Sequence, residues 1–504
     1  MEEIRQTFRI IDLFAGAGGF SEGFLEVEAL TGKRAFEVVK AVEIDRAACI
    51  NLIEHLESYG LPGRQIVFEG DIGHEFTQKS IIKEGIDKKV DIIIGGPPCQ
   101  TFSLVGPARV GASDLRLKLS KDPRNKLYRH FLEIVEAIRP AFVVFENVEG
   151  IVSKRDEDEL TGNSKRVIEF VTDSLRDIGY DPSSVQDGEK TRDYLVLNAA
   201  NFGVPQFRKR VIIIANRLGI PNPIPKPNCG PVFGTDYSTT ADAIEHLPVV
   251  LSRINTVGFD KLKKIEVFLE KPDRYLRFFV DALNKLAVKY KVRAEGEMLV
   301  RLSSVVSEAF LELEASEQRN IASLRKFVDV YNSNLDSLEG RDLEHDRFPA
   351  PHISRPHNIR DVCIFSRMEP GTNSAWFMKP SSGHYNEDLA RIYPYNSENH
   401  EDTYVKQSWK SPSTTILSHM NRDGLRFIHP EQPRTYTPCE AALLQSFRRK
   451  ERFSLSRSNQ SDIFRQIGNA VPPLMARAIA KAIYDTLIDY QAMQDSCTSA
   501  WCTQ

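Results

Sequence analysis

Short runs of β-branched residues alternate with amphipathic stretches through residues 1–217, and little besides an open α/β sheet accommodates that rhythm. The runs are Arg9–Phe14, Val38–Glu43, Gln65–Glu69, Val90–Ile94, Phe142–Glu146, Tyr194–Leu197 and Arg210–Ala215. Asp91-Ile92-Ile93-Ile94 and Val211-Ile212-Ile213-Ile214 are nearly continuous in Ile and Val, as strands covered on both faces of a parallel sheet must be. Arg46–Tyr59, Pro123–Ile138 and Ser164–Ile178 read as helices between them. The expectation is a mostly parallel sheet with helices on both faces.

The rhythm stops after Asn216. Pro221-Asn222-Pro223-Ile224-Pro225-Lys226-Pro227 is a stiff linker that no helix can cross. Residues 261–338 return to helical periodicity, and packing alone accounts for their apolar stripe. Residues 350–430 are irregular and rich in Pro, Gly, Ser, His and Asn, whereas Ala470–Tyr490 reads as a helix able to rejoin the first domain. The expected organisation is a first domain over 1–220 and a second over 221–433, with a helical insertion near 255–345. A return to the first domain follows over 434–490, and a flexible tail over 491–504. A chain of 504 residues is long enough for more than one core.

Composition excludes several classes. At 27% charged and 41% hydrophobic residues the chain is neither disordered nor membrane-like. No apolar run reaches the ~20 residues that span a bilayer, and Met1-Glu2-Glu3-Ile4-Arg5 does not begin a secretion signal. Seven cysteines form no CxxC pair, which points to a reducing cytoplasm and to no metal centre. A net charge of -3 argues against nonspecific coating of nucleic acid, but Arg109, Arg116, Lys118, Lys121, Arg124 and Lys126 make a local basic patch against only Asp114 and Asp122.

Three features mark the carboxyl ends of successive strands. Asp12-Leu13-Phe14-Ala15-Gly16-Ala17-Gly18-Gly19-Phe20 closes a strand and opens a helix through a glycine turn. Glu43 ends the second strand, where a carboxylate can accept from ribose hydroxyls, and Asp71 follows the third, within reach of an adenine amino group. Each acid alone could be a helix cap. Together they point to a nucleoside-bearing cofactor, with a nicotinamide dinucleotide and S-adenosylmethionine both open. Gly95-Gly96-Pro97-Pro98-Cys99-Gln100 follows the fourth strand and holds one cysteine at the tip of a rigid turn. A free cysteine is usually a small buried hydrophobe; this setting suits a presented nucleophile with a depressed thiol pKa.

Gly96-Pro97-Pro98-Cys99-Gln100 resembles the signature of the cytosine-5 DNA methyltransferases, and five further motifs agree in order. They are the glycine turn, Glu146-Asn147-Val148, Gln206-Phe207-Arg208-Lys209-Arg210, Thr437-Pro438-Cys439-Glu440-Ala441-Ala442-Leu443-Leu444-Gln445-Ser446-Phe447, and Gln466-Ile467-Gly468-Asn469-Ala470-Val471-Pro472-Pro473. The resemblance implies a Rossmann-like S-adenosylmethionine-dependent sheet with a smaller target-recognition domain between the arginine motif and the late motifs. It implies that Phe14, Gly16, Gly18, Glu43, Asp71, Pro97 and Asn469 contact the cofactor. Cys99 would be the nucleophile, and Glu146, Arg208 and Arg210 would hold the cytosine. Double-stranded DNA is the implied substrate, bound by a monomer that flips the target base. A cognate restriction endonuclease is the implied functional partner, and the bacterial cytoplasm, at the nucleoid, the implied location.

Three departures stand out. Cys439 occupies a position where the family has arginine, so a structural ion pair could be missing. The loop between Ser103 and Asp122 is long, and so is the span that carries the insertion. A tRNA cytosine methyltransferase would carry a Cys-Phe-Thr tripeptide in a short recognition region, and this chain has neither. A noncatalytic DNA-binding relative would have lost Cys99 or Glu146. A thiol enzyme of another class would need a histidine partner, and none lies in these motifs.

Overall fold

The computed structural model describes residues 5–98, 127–157, 164–186, 189–190, 192–316, 319–339, 347–395, 403–450 and 452–501. The chain divides into two compact units, one of residues 1–237 and 469–504, the other of residues 238–468.

The first unit is built on a seven-stranded sheet. Its strands are β1 (Phe8–Leu13), β2 (Phe36–Glu43), β3 (Val67–Glu69), β4 (Ile92–Gly95), β5 (Phe142–Asn147), β6 (Leu195–Asn198) and β7 (Lys209–Asn216), in the order β6-β7-β5-β4-β1-β2-β3. β1 pairs in parallel with both β2 and β4, β2 with β3 and β4 with β5, while β7 runs antiparallel to β5 and β6. The chain therefore winds outward from β1 in both directions. The crevice beyond the carboxyl ends of β1 and β4 is the switch point at which such sheets bind ligands.

Several expected boundaries shift by one to three residues, two of them for a clear reason. Gln65 and Ile66 belong to a helical turn, because Gln65 N and Ile66 N both donate to Pro62 O and the strand begins only at Val67. Ser164–Arg166 is a strand paired with Arg155–Glu157 and not a helix start, so the following helix opens at Val167.

Helices α1 (Gly19–Leu25), α2 (Arg46–Ser58), α3 (Glu75–Asp87), α4 (Leu127–Ile138) and α5 (Val167–Asp177) connect these strands. In the second unit come α6 (Pro272–Lys289), α7 (Gly296–Ala315), α8 (Ile321–Glu339), α9 (Ile359–Arg367), α10 (Pro438–Leu444) and α11 (Gln460–Asn469), the last ending at the unit boundary. A final helix, α12 (Pro473–Trp501), lies in the first unit. It runs past residue 490, the expected end, because no Gly or Pro follows Pro473 to stop it. Among the described residues no helix is long and apolar enough to cross a membrane.

Period-two alternation sorts the sheet's side chains to two cores. Ile10, Ile92, Ile94, Val144, Ile212 and Ile214 pack with Phe24 of α1, Leu52 of α2 and Ile479 and Ile483 of α12. Ile11, Ile93, Val143, Phe145, Val211 and Ile213 pack on the other face with Ile81 of α3, Phe131 of α4 and Val171 of α5. The continuous Ile/Val runs thus supply both faces at once.

The second unit has its own core, in which Leu276, Phe279, Leu302, Val306, Phe327, Tyr331 and Phe365 interlock. Its polar frame is also buried. Thr437 and Glu440 form a capping box, with Glu440 N donating to Thr437 Oγ1 at 3.2 Å and Thr437 N to Glu440 Oε2 at 2.8 Å. Arg434 grips the same carboxylate with two bonds of 2.8 and 2.7 Å. These bonds, with Cys439 N donating to Pro351 O and Phe453 N to Pro349 O, tie residues 434–468 into the second unit. By packing, residues 434–468 go with the second unit, and the first unit comprises residues 1–237 and 469–504.

Where α1 crosses α12, Gly23 leaves no room for a side chain. A Cβ there would lie 2.4 Å from Ala476 Cβ and 2.6 Å from Pro473 O. We expect Gly23→Ala to destabilise the protein by about 1–3 kcal/mol, seen as a lower urea midpoint at unchanged slope. An unchanged midpoint would mean that the two helices part at no cost.

Candidate active site

The glycine turn after β1 adopts three left-handed residues, Phe14 (φ 60), Gly16 (φ 53) and Gly18 (φ 83). Phe14 is the notable one, since a side chain resists this region and its cost tends to be retained where a ligand needs the shape. Gly16 faces open space at its missing Cβ. Its N–H donates to Glu43 Oε2 at 2.8 Å, while Glu43 Oε1 accepts from Ile44 N and Asp45 N at 2.9 and 2.7 Å. Glu43 is thus locked by backbone donors across the β1 and β2 ends, and burial pushes its carboxyl above the usual range.

Asp12, on β1, is almost wholly buried and accepts from the Ser21 hydroxyl at 2.5 Å and from the Ser21 backbone N–H. It occupies the amino end of α1. In dinucleotide-binding sheets that end holds a pyrophosphate. Here a carboxyl already fills it, which disfavours a phosphate-bearing cofactor. S-adenosylmethionine carries no phosphate, and a carboxylate at Glu43 beside an open glycine turn fits a cofactor of that kind.

Asp71 bonds locally, accepting from Gly73 N at 2.8 Å with His74 Nε2 at 3.8 Å. Pro97 lies in the turn after β4, and its carbonyl accepts from Asn147 Nδ2 at 3.2 Å. Asn147 Oδ1 accepts from Val148 N at 2.8 Å, so this one amide braces the turn against β5. Cys99 and the loop between Ser103 and Asp122 lie outside the described residues, as does the basic patch from Arg109 to Lys126.

Glu146 is buried on β5, next to that turn. Its Oε1 sits 2.8 Å from Arg210 Nε, and its Oε2 lies toward Gly96, where an added Cβ would stand 2.8 Å away. Burial raises the Glu146 carboxyl, and the Arg210 and Arg208 guanidinium groups oppose that rise. Arg208 is fully buried and donates from Nη2 to Ala470 O at 3.1 Å, while its own N–H donates to Asn198 Oδ1. Burial drives Arg208 well below the ordinary arginine range, with Arg210 adding to the fall and Glu146 resisting it. Arg210 is lowered too, mainly by burial. A carboxyl of raised pKa facing two desolvated guanidiniums can give a proton to one atom of a flat polar ligand and stabilise charge on a neighbouring atom.

The structure brings Gly16 to Glu43, and Glu146 to Arg208, Arg210 and Gly96. Asn469 directly precedes Ala470, so the closing motif meets the arginine motif across more than 250 residues of sequence. Asp71 and Asn469 have no described bond to the other proposed site residues. Asp12, Gly96, Asn147 and Asn198 were absent from the sequence-based site. The first three lie inside the quoted motifs and could have been found there. Asn198 carries no such signal, since a lone Asn at a strand end reads only as a turn residue.

The chain matches the family model for C-5 cytosine-specific DNA methylase over residues 8–262 and 303–485. The candidate type II methyltransferase M.OihORF3336P of Oceanobacillus iheyensis is 28% identical over 500 residues, covering 94% of this chain and 95% of that one. The type II methyltransferase M.XorII of Xanthomonas oryzae pv. oryzae is 28% identical over 482 residues, covering 95% of this chain and 84% of that one. A crystal structure of a candidate DNA modification methyltransferase encoded within an E. coli prophage superposes with a TM-score of 0.51 at 22% identity, covering 95% of this chain and 99% of that one. That likeness supports the fold alone.

Burial pushes the Asp12 carboxyl up to about 7, against an unfolded value of about 3.9. Between these values the unfolded chain has released a proton that the folded chain keeps. Stability should therefore fall as pH rises from about 4 to about 7 and level off above. Urea titrations of the wild type and of Asp12→Asn across this window should diverge with that slope. Parallel curves would show that Asp12 is already ionised when folded.

Proposed function

Because the chain belongs to the C-5 cytosine-specific DNA methylase family, we propose that it flips a cytosine from duplex DNA and methylates C5 through a covalent bond from Cys99. The observation that carries this reading is the buried cluster of Glu146, Arg210 and Arg208 beside the Gly96–Pro97 turn. The cofactor is S-adenosylmethionine, which supplies an electrophilic methyl group when bound. Glu43 would hold its ribose hydroxyls, Asp71 its adenine amino group, Phe14, Gly16 and Gly18 would shape the floor, and Pro97 and Asn469 would line the remainder.

Cytosine C5 is a poor nucleophile in the intact ring. The Cys99 thiolate adds to C6, forming an S–C6 bond and moving the C5–C6 electron pair onto C5. Negative charge would otherwise collect on N3 and O2. Glu146 gives its proton to N3, as its raised pKa permits, and Arg208 and Arg210 donate to O2. Once C5 is methylated, water takes the C5 proton, the freed pair re-forms the C5–C6 double bond as the Cys99 thiolate leaves, and the N3 proton returns to Glu146, which restores the aromatic ring. None of these groups can reach a stacked base, so the cytosine must leave the helix. The basic residues between Arg109 and Lys126 would then meet phosphates.

The second unit is the proposed target-recognition domain, with residues 255–345 as its helical insertion. The second packing unit, residues 238–468, supports placing that domain there, against the 221–433 expected from the sequence. The type II relatives favour the modification half of a restriction–modification system, with a cognate endonuclease as functional partner. The proposed setting is the bacterial cytoplasm, at the nucleoid, with one monomer on DNA.

The test is transfer of labelled methyl from S-adenosylmethionine to bacterial genomic DNA lacking 5-methylcytosine, followed by sequencing of the product. Methylation of C5 in one recurring motif, abolished in Cys99→Ser and reduced about 10²–10⁴-fold in Glu146→Gln, is the expected result. Transfer to tRNA and not to DNA would sink the reading. Gly96→Ala should cut transfer about 100-fold by displacing the Glu146 carboxyl. Its thermal midpoint should stay within about 2–4 °C of wild type, because the new Cβ closely meets the end of the Glu146 side chain and not backbone. Full activity in that variant would mean that the Glu146 position is not critical.

A further inference from the structure

Through the arginine motif the side chains alternate. Gln206, Arg208 and Arg210 turn inward, whereas Phe207 is 41% exposed and the Lys209 side chain 59% exposed. Extended backbone imposes this period of two, so the residues between the inward-facing ones face outward. The outward set is not an isolated aromatic. Phe207 meets Tyr237 edge to face, with centroids 5.5 Å apart at 84°. Tyr237 lies against Gly230 (φ 108), where a Cβ would stand 2.6 Å from the ring. The turn after Gly230, Pro231–Phe233, exposes Val232 at 87% and Phe233 at 45%. This turn is anchored to the β6–β7 connection, because Asn228 N and Cys229 N donate to Asn201 O at 2.9 and 3.1 Å. Lys209 has only a 3.9 Å approach to Glu149, an exposed pair of little strength.

An apolar patch held out of the core by its own anchored turn is built to be covered. A flipped cytosine leaves neighbouring bases with an unstacked face, and aromatic side chains beside a cation are the surface on which a nucleic-acid strand rests. We propose that Phe207, Tyr237, Val232 and Phe233 form a shelf for the DNA strand that carries the target cytosine. The rings take the base or sugar face of a flanking nucleotide, and Lys209 takes its phosphate. Continuity carries the choice of occupant, since Phe207 and Lys209 each adjoin Arg208 in the chain. The inference rests on the reading of Glu146, Arg208 and Arg210 as the cytosine site.

The test compares wild type, Phe207→Ala, Phe207→Trp and Lys209→Ala on bacterial genomic DNA lacking 5-methylcytosine. It measures methyl transfer and, separately, equilibrium binding of DNA fragments across a salt series. Phe207→Ala should raise the KM and Kd for DNA about tenfold and leave the KM for S-adenosylmethionine and the slope of log K against log salt unchanged. Phe207→Trp should stay within about twofold of wild type, as a retained stacking surface would. Lys209→Ala should shorten the salt slope by about one. DNA binding by Phe207→Ala within twofold of wild type would overturn the shelf while leaving the methyltransferase reading intact. A loss of cofactor affinity or of thermal stability in Phe207→Ala would also overturn it, by making the ring a structural support. Concentration-dependent dimerisation of wild type that Phe207→Ala abolishes, with DNA binding unchanged, would assign the patch to a second copy. Absence of transfer to DNA by the wild type would remove the function reading, and the shelf with it.

Discussion

The contact between Glu146 and Arg210 is the interaction on which the proposed catalytic end depends. A carboxyl and a guanidinium buried together lose hydration that their mutual attraction only partly restores. The cost is tolerable because β5 and β7 pair directly, with Glu146 opposite Ile212 and Asn147 opposite Val211. The antiparallel placement of β7 lets its first residues come alongside the carboxyl end of β5. A β7 inserted in parallel would bring Arg208 and Arg210 to the opposite end of the sheet. Arg208 deepens the cost, since it is buried near a second guanidinium and donates to Ala470 O. A cluster so expensive persists where a ligand's partial charges complete it, which is the physical case for a cytosine ring there.

The cofactor end follows a different logic, one of backbone shape. Glu43 is held by three backbone N–H groups, and the left-handed residues Phe14, Gly16 and Gly18 turn the chain into α1. Asp12 then uses donors at the start of α1 that a phosphate would otherwise claim. The same sheet architecture could serve dinucleotides. The occupied helix end turns it toward a cofactor whose charge is positive.

The second unit absorbs one departure from the family pattern. Cys439 was expected to cost an ion pair, yet Arg434 holds Glu440 by two bonds and Cys439 is a buried, strongly desolvated thiol. The capping box at Thr437 and Glu440 depends on that carboxylate and not on position 439. Residues 263–302, which hold α6 and the start of α7, fall between the two stretches matched by the family model. They nevertheless pack into one core with α8 and α9, so the insertion is part of the unit's interior and not an appendage.

Sequence alone determined the strands and their carboxyl ends, because continuous Ile/Val runs bounded by Gly, Pro and acidic residues are signals confined to a few neighbouring positions. It also located the glycine turn, the Gly96-Pro97-Pro98 turn and both arginines, whose spacing is local. Misplaced boundaries at Gln65 and Ser164 arose where short-range bonds to Pro62 and pairing with Arg155–Glu157 overrode propensity. Only the tertiary structure decided that Asn147 braces Pro97, that Arg208 reaches Ala470, and that the late motif at Thr437 belongs to the second unit. Each of these joins residues roughly 50 to 260 positions apart or assigns a segment by its packing. No local pattern encodes such a pairing, because its energy comes from burial and hydrogen bonds that exist only after the chain has folded.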